Sequence, residues 1–274
     1  MPVIDTPALA HEFLSAYMTG ARIAVPPSAR HEGFDLNSAY EVEAEFARLR
    51  TQSGRRLVGR KVGYASKAVW RVLKLETLVW AHMYDDTVHH AAAGVAELAP
   101  PYYRSPKIEP EIVFCLKEPL ATGGLDAAAI LRSVDWLAIG FEIIDCPYPD
   151  WQFQPADFVA AFGLHLRLVV GQPLQADSAT IPALVDGLAS FKLRLSKNGA
   201  FVEEGAGKNC LRSPALCLAE LAGAIGRRPG APPLAPGELI SSGTLTNGQP
   251  VAGGEIWQAD AEGLPLSGLK LELK

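Results

Sequence analysis

The stretch KIEPEIVFCL, residues Lys107 to Leu116, sets two acids into an otherwise apolar run. Ile108, Ile112, Val113, Phe114 and Leu116 give it the composition of a β-strand. Side chains alternate faces along a strand, so Glu109 and Glu111 point to the same side. Pro110 between them has no N–H for a ladder, which predicts an edge or a bulge there. A second run, WLAIGFEIIDC from Trp136 to Cys146, is equally apolar and carries Glu142. Near-continuous hydrophobicity in both runs predicts strands buried on both faces.

Outward from these two strands, the chain divides by texture. Thr6-Pro7 opens a helix to about Met18, with Leu9, Phe13, Leu14 and Tyr17 on one side. Asn37-Ser38 opens another, with Tyr40, Val42, Phe46 and Leu49 apolar, and IAVPPSARHEGFD between them reads as a loop. From Leu57 the sequence turns β-rich. LVGRKVGY is a strand, Ser66 caps a short helix, and DFVAAFGLHLRLVVG begins helical and ends extended. KLRLSKNGAFVEEG is a hairpin, because Asn198-Gly199 suits a type I′ turn. A helix follows Ser213-Pro214, and the tail is strands joined by Gly and Pro turns. The expected class is α+β, with a small helical N-terminal portion (residues 1–56) before a larger body (residues 57–274) in which β predominates. Pro101 and the YYRSP segment after it mark the entry to the main β region.

The 274 residues are 49% hydrophobic and 20% charged, enough for a full core and unlike a disordered chain. Net charge is −5 with no basic run, which argues against non-specific nucleic-acid binding. Four cysteines show no CxxC pairing, so zinc-ribbon and thioredoxin-like chemistry fall away. Cys115 and Cys146 sit in apolar runs and read as buried, reduced thiols. No signal peptide is visible at MPVIDTPALAHEF, and no apolar run is long enough to span a bilayer. The expectation is a soluble, cytoplasmic protein.

Two carboxylates on one buried face repel each other and lose hydration, so something must offset them. A hard divalent cation such as Mg²⁺ or Mn²⁺ does this best. Glu142 from the second strand would complete one face of an octahedral ion, leaving positions for substrate oxygens and water. The alternatives are a solvated face for Glu109 and Glu111 and a core ion pair for Glu142. Lys61, in the glycine-flanked GRKVGY strand, is either a substrate-binding or proton-transferring cation or a surface lysine with a buried stem. Arg60 points the opposite way and suits a structural ion pair. Asp85 and Asp86 offer a general base or a solvated turn. His82, His89 and His90 read as structural or exposed.

The ordered set GRKVGY, WAHMYDDTV, KIEPEIVF, AIGFEIIDCPYPDW, KNGAFVEEG and ISSGTLT resembles the fumarylacetoacetate hydrolase superfamily. Within it the set is most similar to the 2-hydroxypentadienoate (2-keto-4-pentenoate) hydratase and 4-oxalocrotonate decarboxylase branch. The resemblance implies a mixed β-roll with a helical N-terminal portion, and a homo-oligomer. It implies Mg²⁺ or Mn²⁺ on Glu109, Glu111 and Glu142, with Lys61 as the active-site lysine and Asp86 as the acid that follows. One segment departs. Where that branch carries a polar Asn-Ala-Ser-Ser run, this chain reads Phe162-Gly163-Leu164-His165. His165 is either a replacement proton donor or a core histidine. Trp80, Tyr84, Phe162 and Leu164 either line a pocket for the substrate tail or pack in the core.

The function this implies is a metal-dependent lyase acting on a 2-oxo or 2-hydroxydienoic acid. A 2-keto-4-pentenoate hydratase-like hydro-lyase of aromatic-compound degradation leads, with Lys61, Asp86 and His165 as its proton-handling residues. A 4-oxalocrotonate-type decarboxylase shares the same enolate. An acylpyruvate C–C hydrolase would need a water-activating base such as His31, but Phe34 stands where the spacing calls for an acid. A non-enzymatic, metal-stabilised protein is the remaining alternative.

Overall fold

The structure is a computed structural model and describes residues 4–99, 104–120 and 125–274. Pro101 and the first residues of the YYRSP segment lie outside the described residues. Helices α1 (Thr6–Thr19), α2 (Pro27–Arg30) and α3 (Leu36–Gln52) come first. The caps are aspartates: Asp5 accepts from Ala8 N at 3.0 Å and Asp35 from Ser38 N at 2.9 Å. Asp35 therefore starts α3 before the expected Asn37-Ser38. Within the expected loop, Pro26-Pro27 presets φ and α2 forms one turn.

The body follows as β1 (Leu57–Gly63), α4 (Lys67–Leu73), β2 (Val79–Tyr84), β3 (Val88–His90), β4 (Val95–Leu98) and β5 (Lys107–Leu116). Then come α5 (Ala127–Arg132), β6 (Val134–Ile144), α6 (Pro155–Ala160), β7 (His165–Val170), β8 (Leu174–Gln175) and α7 (Ile181–Ser190). Hairpin β9 (Lys192–Lys197) and β10 (Ala200–Ala206) precedes α8 (Pro214–Gly226), and β11 (Leu239–Ser241), β12 (Gln249–Pro250), β13 (Ile256–Glu262) and β14 (Leu269–Leu273) close the chain. The hairpin turns where expected, with φ of 52° at Asn198 and 80° at Gly199. Helices α5 and α7 were not anticipated. Each is short, and α7 carries its start signal in Pro182 and its buried face in Leu184 and Leu188.

One mixed sheet runs in the order β2-β1-β11-β5-β6-β7-β3, with β12 on β5 and β8 on β6. Within it β1 pairs parallel with β11 and β3 with β7. A second sheet runs β10-β9-β13-β14-β4. This is the expected α+β, mixed-sheet class. The N-terminal helices pack directly on the body: Phe46 stacks on Phe162 with centroids 4.3 Å apart, and Tyr17 meets Phe162 edge-on.

Pro110 is explained differently from the expectation. Strand β5 is not an edge, since it lies between β6 and β11. Its ladder on the β11 side breaks between Ile108, which pairs with β12, and Val113, which pairs with β11. The tail loop crosses that gap, where Leu245 N donates to Pro110 O at 2.9 Å. A proline fits because the regular ladder is already interrupted. All four cysteines are free; Cys146, Cys210 and Cys217 are buried, whereas Cys115 is only half-buried. No helix among the described residues is long and apolar enough to cross a membrane.

Candidate active site

Glu109 and Glu142 are cross-strand partners in the β5–β6 ladder, and Glu111 stands opposite Gly140 on the same face. Like charges placed directly opposite each other destabilise a sheet, so this pair needs compensation. One oxygen from each of Glu109, Glu111 and Glu142 lies within 4.8 Å of the others. Glu111 and Glu142 are fully buried, and Glu109 is half-buried at a cavity wall.

The fold grips one oxygen of Glu111 and leaves the second bare, and it gives each oxygen of Glu142 one neighbour. Ser241 Oγ and Gly243 N both donate to Glu111 Oε2, the latter at 2.8 Å, while Oε1 has no hydrogen-bond partner. His165 Nδ1 lies 2.8 Å from Glu142 Oε1. Glu142 Oε2 faces Lys61 Nζ at 2.9 Å, off the line of a directed hydrogen bond. The lysine's directed bond goes to Gly163 O at 2.9 Å. Converging carboxylate oxygens, with buried Glu111 Oε1 lacking any partner among the described residues, are an all-oxygen donor set, which fits a hard divalent cation. Lys61 and Glu142 are on strands three places apart in the sheet, roughly 14 Å in a flat one. They meet only because the sheet curls.

Burial pushes the Glu109 carboxyl up to about 7, with the Glu142 charge adding to the rise. Burial and the Glu142 charge hold Glu111 well above the ordinary carboxylate range. Burial acts the same way on Glu142, but Lys61 and His165 outweigh it and hold Glu142 low. Lys61 is fully buried, yet the three glutamates outweigh that and keep its ammonium protonated. Burial lowers His165 despite its bond to Glu142, so the ring is neutral. A carboxylate can only accept, so the single ring proton sits on Nδ1. Nε2 lies 2.9 Å from Thr87 Oγ1, whose single proton is shared between this nitrogen and Tyr84 O, also 2.9 Å away.

The segment that departs from the hydratase-like pattern has its own backbone conformation. Phe162, Gly163 and Leu164 have φ of 41°, 68° and 57°. A Cβ on Gly163 would lie 2.6 Å from Lys61 Cδ. Glycine is needed there both for φ and for the approach of the lysine to the carbonyl. Positive φ at Phe162 and Leu164 is strain held beside the site. A register shift between β6 and β7 at Ile143/Ile144 pairs Ile144 with His165. Such bulges re-aim side chains, here bringing His165 onto Glu142.

Lys61 and Glu109 open onto a cavity of about 280 Å³, whose wall also includes Leu164. Asp86 does not line it. That residue is paired with Arg50 and, at 3.3 Å, with Arg55. The structure therefore separates Asp86 from the cavity, because the turn after β2 faces the N-terminal helix α3. His165 is also away from the cavity wall and is held between Glu142 and Thr87. Phe162 packs under α1 and α3, and neither Trp80 nor Tyr84 lines this cavity. His31 and Glu32 are likewise absent from its wall. Arg60 takes the expected structural role, paired with Glu238 and buried. The sequence reading missed Ser241, Gly243 and Thr87 as supports of the acids. The Ser-Ser-Gly run in ISSGTLT was the available signal for the first two. His82 also has a firm structural place, on buried Glu43 at 2.9 Å.

No protein-family model matches the chain. The chain is 31% identical over 247 residues to 2-hydroxyhexa-2,4-dienoate hydratase of Comamonas testosteroni, covering 90% of both proteins. It is 29% identical over 256 residues to 2-keto-4-pentenoate hydratase of Paraburkholderia xenovorans (strain LB400), covering 93% of this chain and 90% of that one. Among solved structures, 4-oxalocrotonate decarboxylase from Pseudomonas putida G7, complexed with magnesium and adipate, superposes with a TM-score of 0.86. It is 25% identical, and the match covers 98% of this chain and 97% of that one. Fumarylpyruvate hydrolase from Pseudomonas aeruginosa, in complex with Mn²⁺ and pyruvate, shares the fold with a TM-score of 0.59 at 18% identity, over 79% of this chain and 90% of that one. With its acid trio, curled mixed sheet and near-full-length similarity to dienoate hydratases, the chain belongs to the hydratase and decarboxylase branch of the fumarylacetoacetate hydrolase superfamily.

Proposed function

We propose that the protein is a divalent-metal-dependent hydro-lyase that adds water to a 2-hydroxydienoic acid or its 2-oxo tautomer, in the manner of a 2-keto-4-pentenoate hydratase. The observation that carries this reading is the convergence of Glu109, Glu111 and Glu142, with buried Glu111 Oε1 lacking any partner among the described residues, beside a cavity that Lys61 enters. These three residues would hold Mg²⁺ or Mn²⁺, which when bound supplies Lewis-acid stabilisation of negative charge on the 2-oxygen.

The remaining work falls to the chain's own groups. Ketonisation of the dienol moves the equivalent of the 2-hydroxyl proton to the terminal carbon of the diene and leaves a conjugated enone. Water then places hydroxyl on the carbon β to the carbonyl and its proton on the α-carbon, through an enolate. Lys61 is held protonated, so it acts as a cation and donor at Nζ toward substrate oxygens and not as a base. Gly163 O and Glu142 fix its position. His165 is a positioning residue: its Nδ1–H orients Glu142, and Thr87 stands against its other nitrogen and holds the ring plane. The apolar cavity wall excludes bulk water from the diene.

The test follows consumption of 2-hydroxypenta-2,4-dienoate and formation of 4-hydroxy-2-oxopentanoate. Turnover should depend on Mg²⁺ or Mn²⁺ and stop with EDTA. Full activity after exhaustive chelation, or in Glu111→Gln, contradicts the reading. The high structural similarity to 4-oxalocrotonate decarboxylase supports a second reading, decarboxylation, which the same assay distinguishes by release of CO₂ from 4-oxalocrotonate.

A further inference from the structure

The cavity beside the acid trio is chemically lopsided. Its charged groups, Lys61 and Glu109, are both members of the acid–lysine cluster. The rest of the wall is dominated by Tyr64, Val69, Trp151, Phe153, Phe158 and Leu164. The aromatic members form a connected box: Tyr64 and Phe158 centroids are 4.9 Å apart, and Phe153 lies 6.4 Å from both Trp151 and Phe158.

Of the neutral polar groups in the wall, Asn209, Thr244 and Trp151 have partners in the protein, and the hydroxyls of Tyr64 and Ser66 are free among the described residues. Asn209 Nδ2 donates to Leu245 O at 2.9 Å, and Thr244 Oγ1 donates to Thr246 O at 2.8 Å. The Trp151 Nε1–H is bonded to Ser105 Oγ at 2.8 Å. Lys107 sits with its ammonium 3.8 Å from the Trp151 ring centroid, and it lines a neighbouring hollow instead of this cavity. Trp151 borders both spaces and so stands between that cation and anything bound beside the acids. Among the described residues, no cation other than Lys61 lines the cavity.

We propose that this aromatic box selects the substrate tail: the site takes 2-oxo and 2-hydroxydienoic acids with a neutral, planar, apolar tail and rejects those with a second carboxylate. The inference rests on the hydro-lyase reading and narrows its substrate class. A 2-oxo acid head is anchored at the acid trio and Lys61. Its tail is then placed against aromatic faces that gain from burying a flat, apolar group. A distal carboxylate in the same place loses hydration and meets, among the described residues, only the neutral hydroxyls of Tyr64 and Ser66 and no cation beyond Lys61, which is already held by Glu142 and Gly163. The box also favours hydratase over decarboxylase chemistry, because 4-oxalocrotonate is a dicarboxylate.

The experiment measures binding, so it does not depend on turnover. Dissociation constants are measured by calorimetry in Mg²⁺ for 2-oxohexanoate, 2-oxo-4-phenylbutanoate and 2-oxoadipate. The first and last have the same chain length and differ only in methyl against carboxylate at the end. The expected result is binding of both apolar acids at least about tenfold tighter than 2-oxoadipate, the scale of leaving a buried charge unpaired. Val69→Arg, on the half-buried face of α4, should shift the ratio toward 2-oxoadipate by about tenfold or more. Equal or tighter binding of 2-oxoadipate by the unaltered protein overturns the inference, as does failure of all three acids to bind. If no dienoate is hydrated but the binding ratio holds, the hydro-lyase reading fails and the tail preference stands.

Discussion

Glu109 and Glu142 face each other directly across the β5–β6 ladder, and Lys61 reaches the second of them from a strand three places away. The sheet thus concentrates negative charge at one point, and among the described residues Lys61 is the one cation paired with an acid of the trio, with Lys107 acting on Glu109 from farther off. The metal-free site is therefore electrostatically unfinished, and its behaviour without a cation is predictable.

Removing an acid should separate function from stability. Glu111→Gln should weaken Mg²⁺ binding by more than the roughly hundredfold that an outer-shell change brings, and abolish turnover. Glu109→Gln should lose metal affinity while raising the stability of the metal-free protein by up to about 1 kcal/mol, since a like-charge cross-strand pair disappears. Calorimetric titration and thermal melts with EDTA read the two effects. A melting temperature that falls in Glu109→Gln contradicts the account.

The pH dependence has a defined sign. Burial first, and the Glu142 charge with it, push Glu109 up to about 7, well above an ordinary glutamate, and open a window between the two values. The folded, metal-free protein therefore binds more protons than the unfolded chain within that window. Its stability should be full below the window and fall as pH rises through it. Mg²⁺ competes with the same protons, so its affinity should rise from about pH 6 to about pH 8 with proton release. Titrations in buffers of different ionisation enthalpy count the protons. Affinity independent of pH would count against the protonated site.

His165 should matter through Glu142 and not as a proton carrier. His165→Ala is expected to lower Mg²⁺ affinity by about tenfold to hundredfold, the usual scale for a partner that orients a ligand. The pH–rate profile measured at saturating Mg²⁺ should keep its shape. Loss of one limb of that profile would instead assign His165 a proton-transfer role. Thr87→Val should show the same pattern more weakly, because Thr87 supports the ring of His165 and does not touch the acid.

Gly163→Ala tests the strained support. The new methyl meets Lys61 Cδ at 2.6 Å, and φ is 68°. A loss of about 1–3 kcal/mol of stability is expected from the backbone conformation. Lys61 must also move, so KM should rise even where Mg²⁺ affinity is retained. Chemical denaturation and steady-state kinetics in excess metal separate these effects.

Some of this site was legible in the residues themselves. Glu109 and Glu111 share a strand face because alternation is a property of the local backbone, and Val113 on that face with Ile108 and Ile112 on the other said the strand was buried on both sides. Lys61 was visible as a cation between glycines. Asp86 and His165 were not resolved by the same reasoning. Asp86 is one turn from a strand end, and nothing local says that Arg50, on a helix earlier in the chain, takes its charge. His165 follows a bend of left-handed residues, and only the β6–β7 bulge aims it at Glu142.

By itself the sequence determined the strands, the shared facing of Glu109 and Glu111, the hairpin at Asn198-Gly199, and the hard-cation character of the donor set. These follow from backbone period, turn conformation and ligand chemistry, all set within a few residues. Tertiary structure alone decided that Glu142 stands opposite Glu109, that Lys61 crosses three strand positions to meet it, that Asp86 is turned away, and that Trp151, Phe153 and Phe158 close a box beside the acids. Those outcomes depend on strand register and sheet curl, which couple residues far apart in the chain and have no local signature.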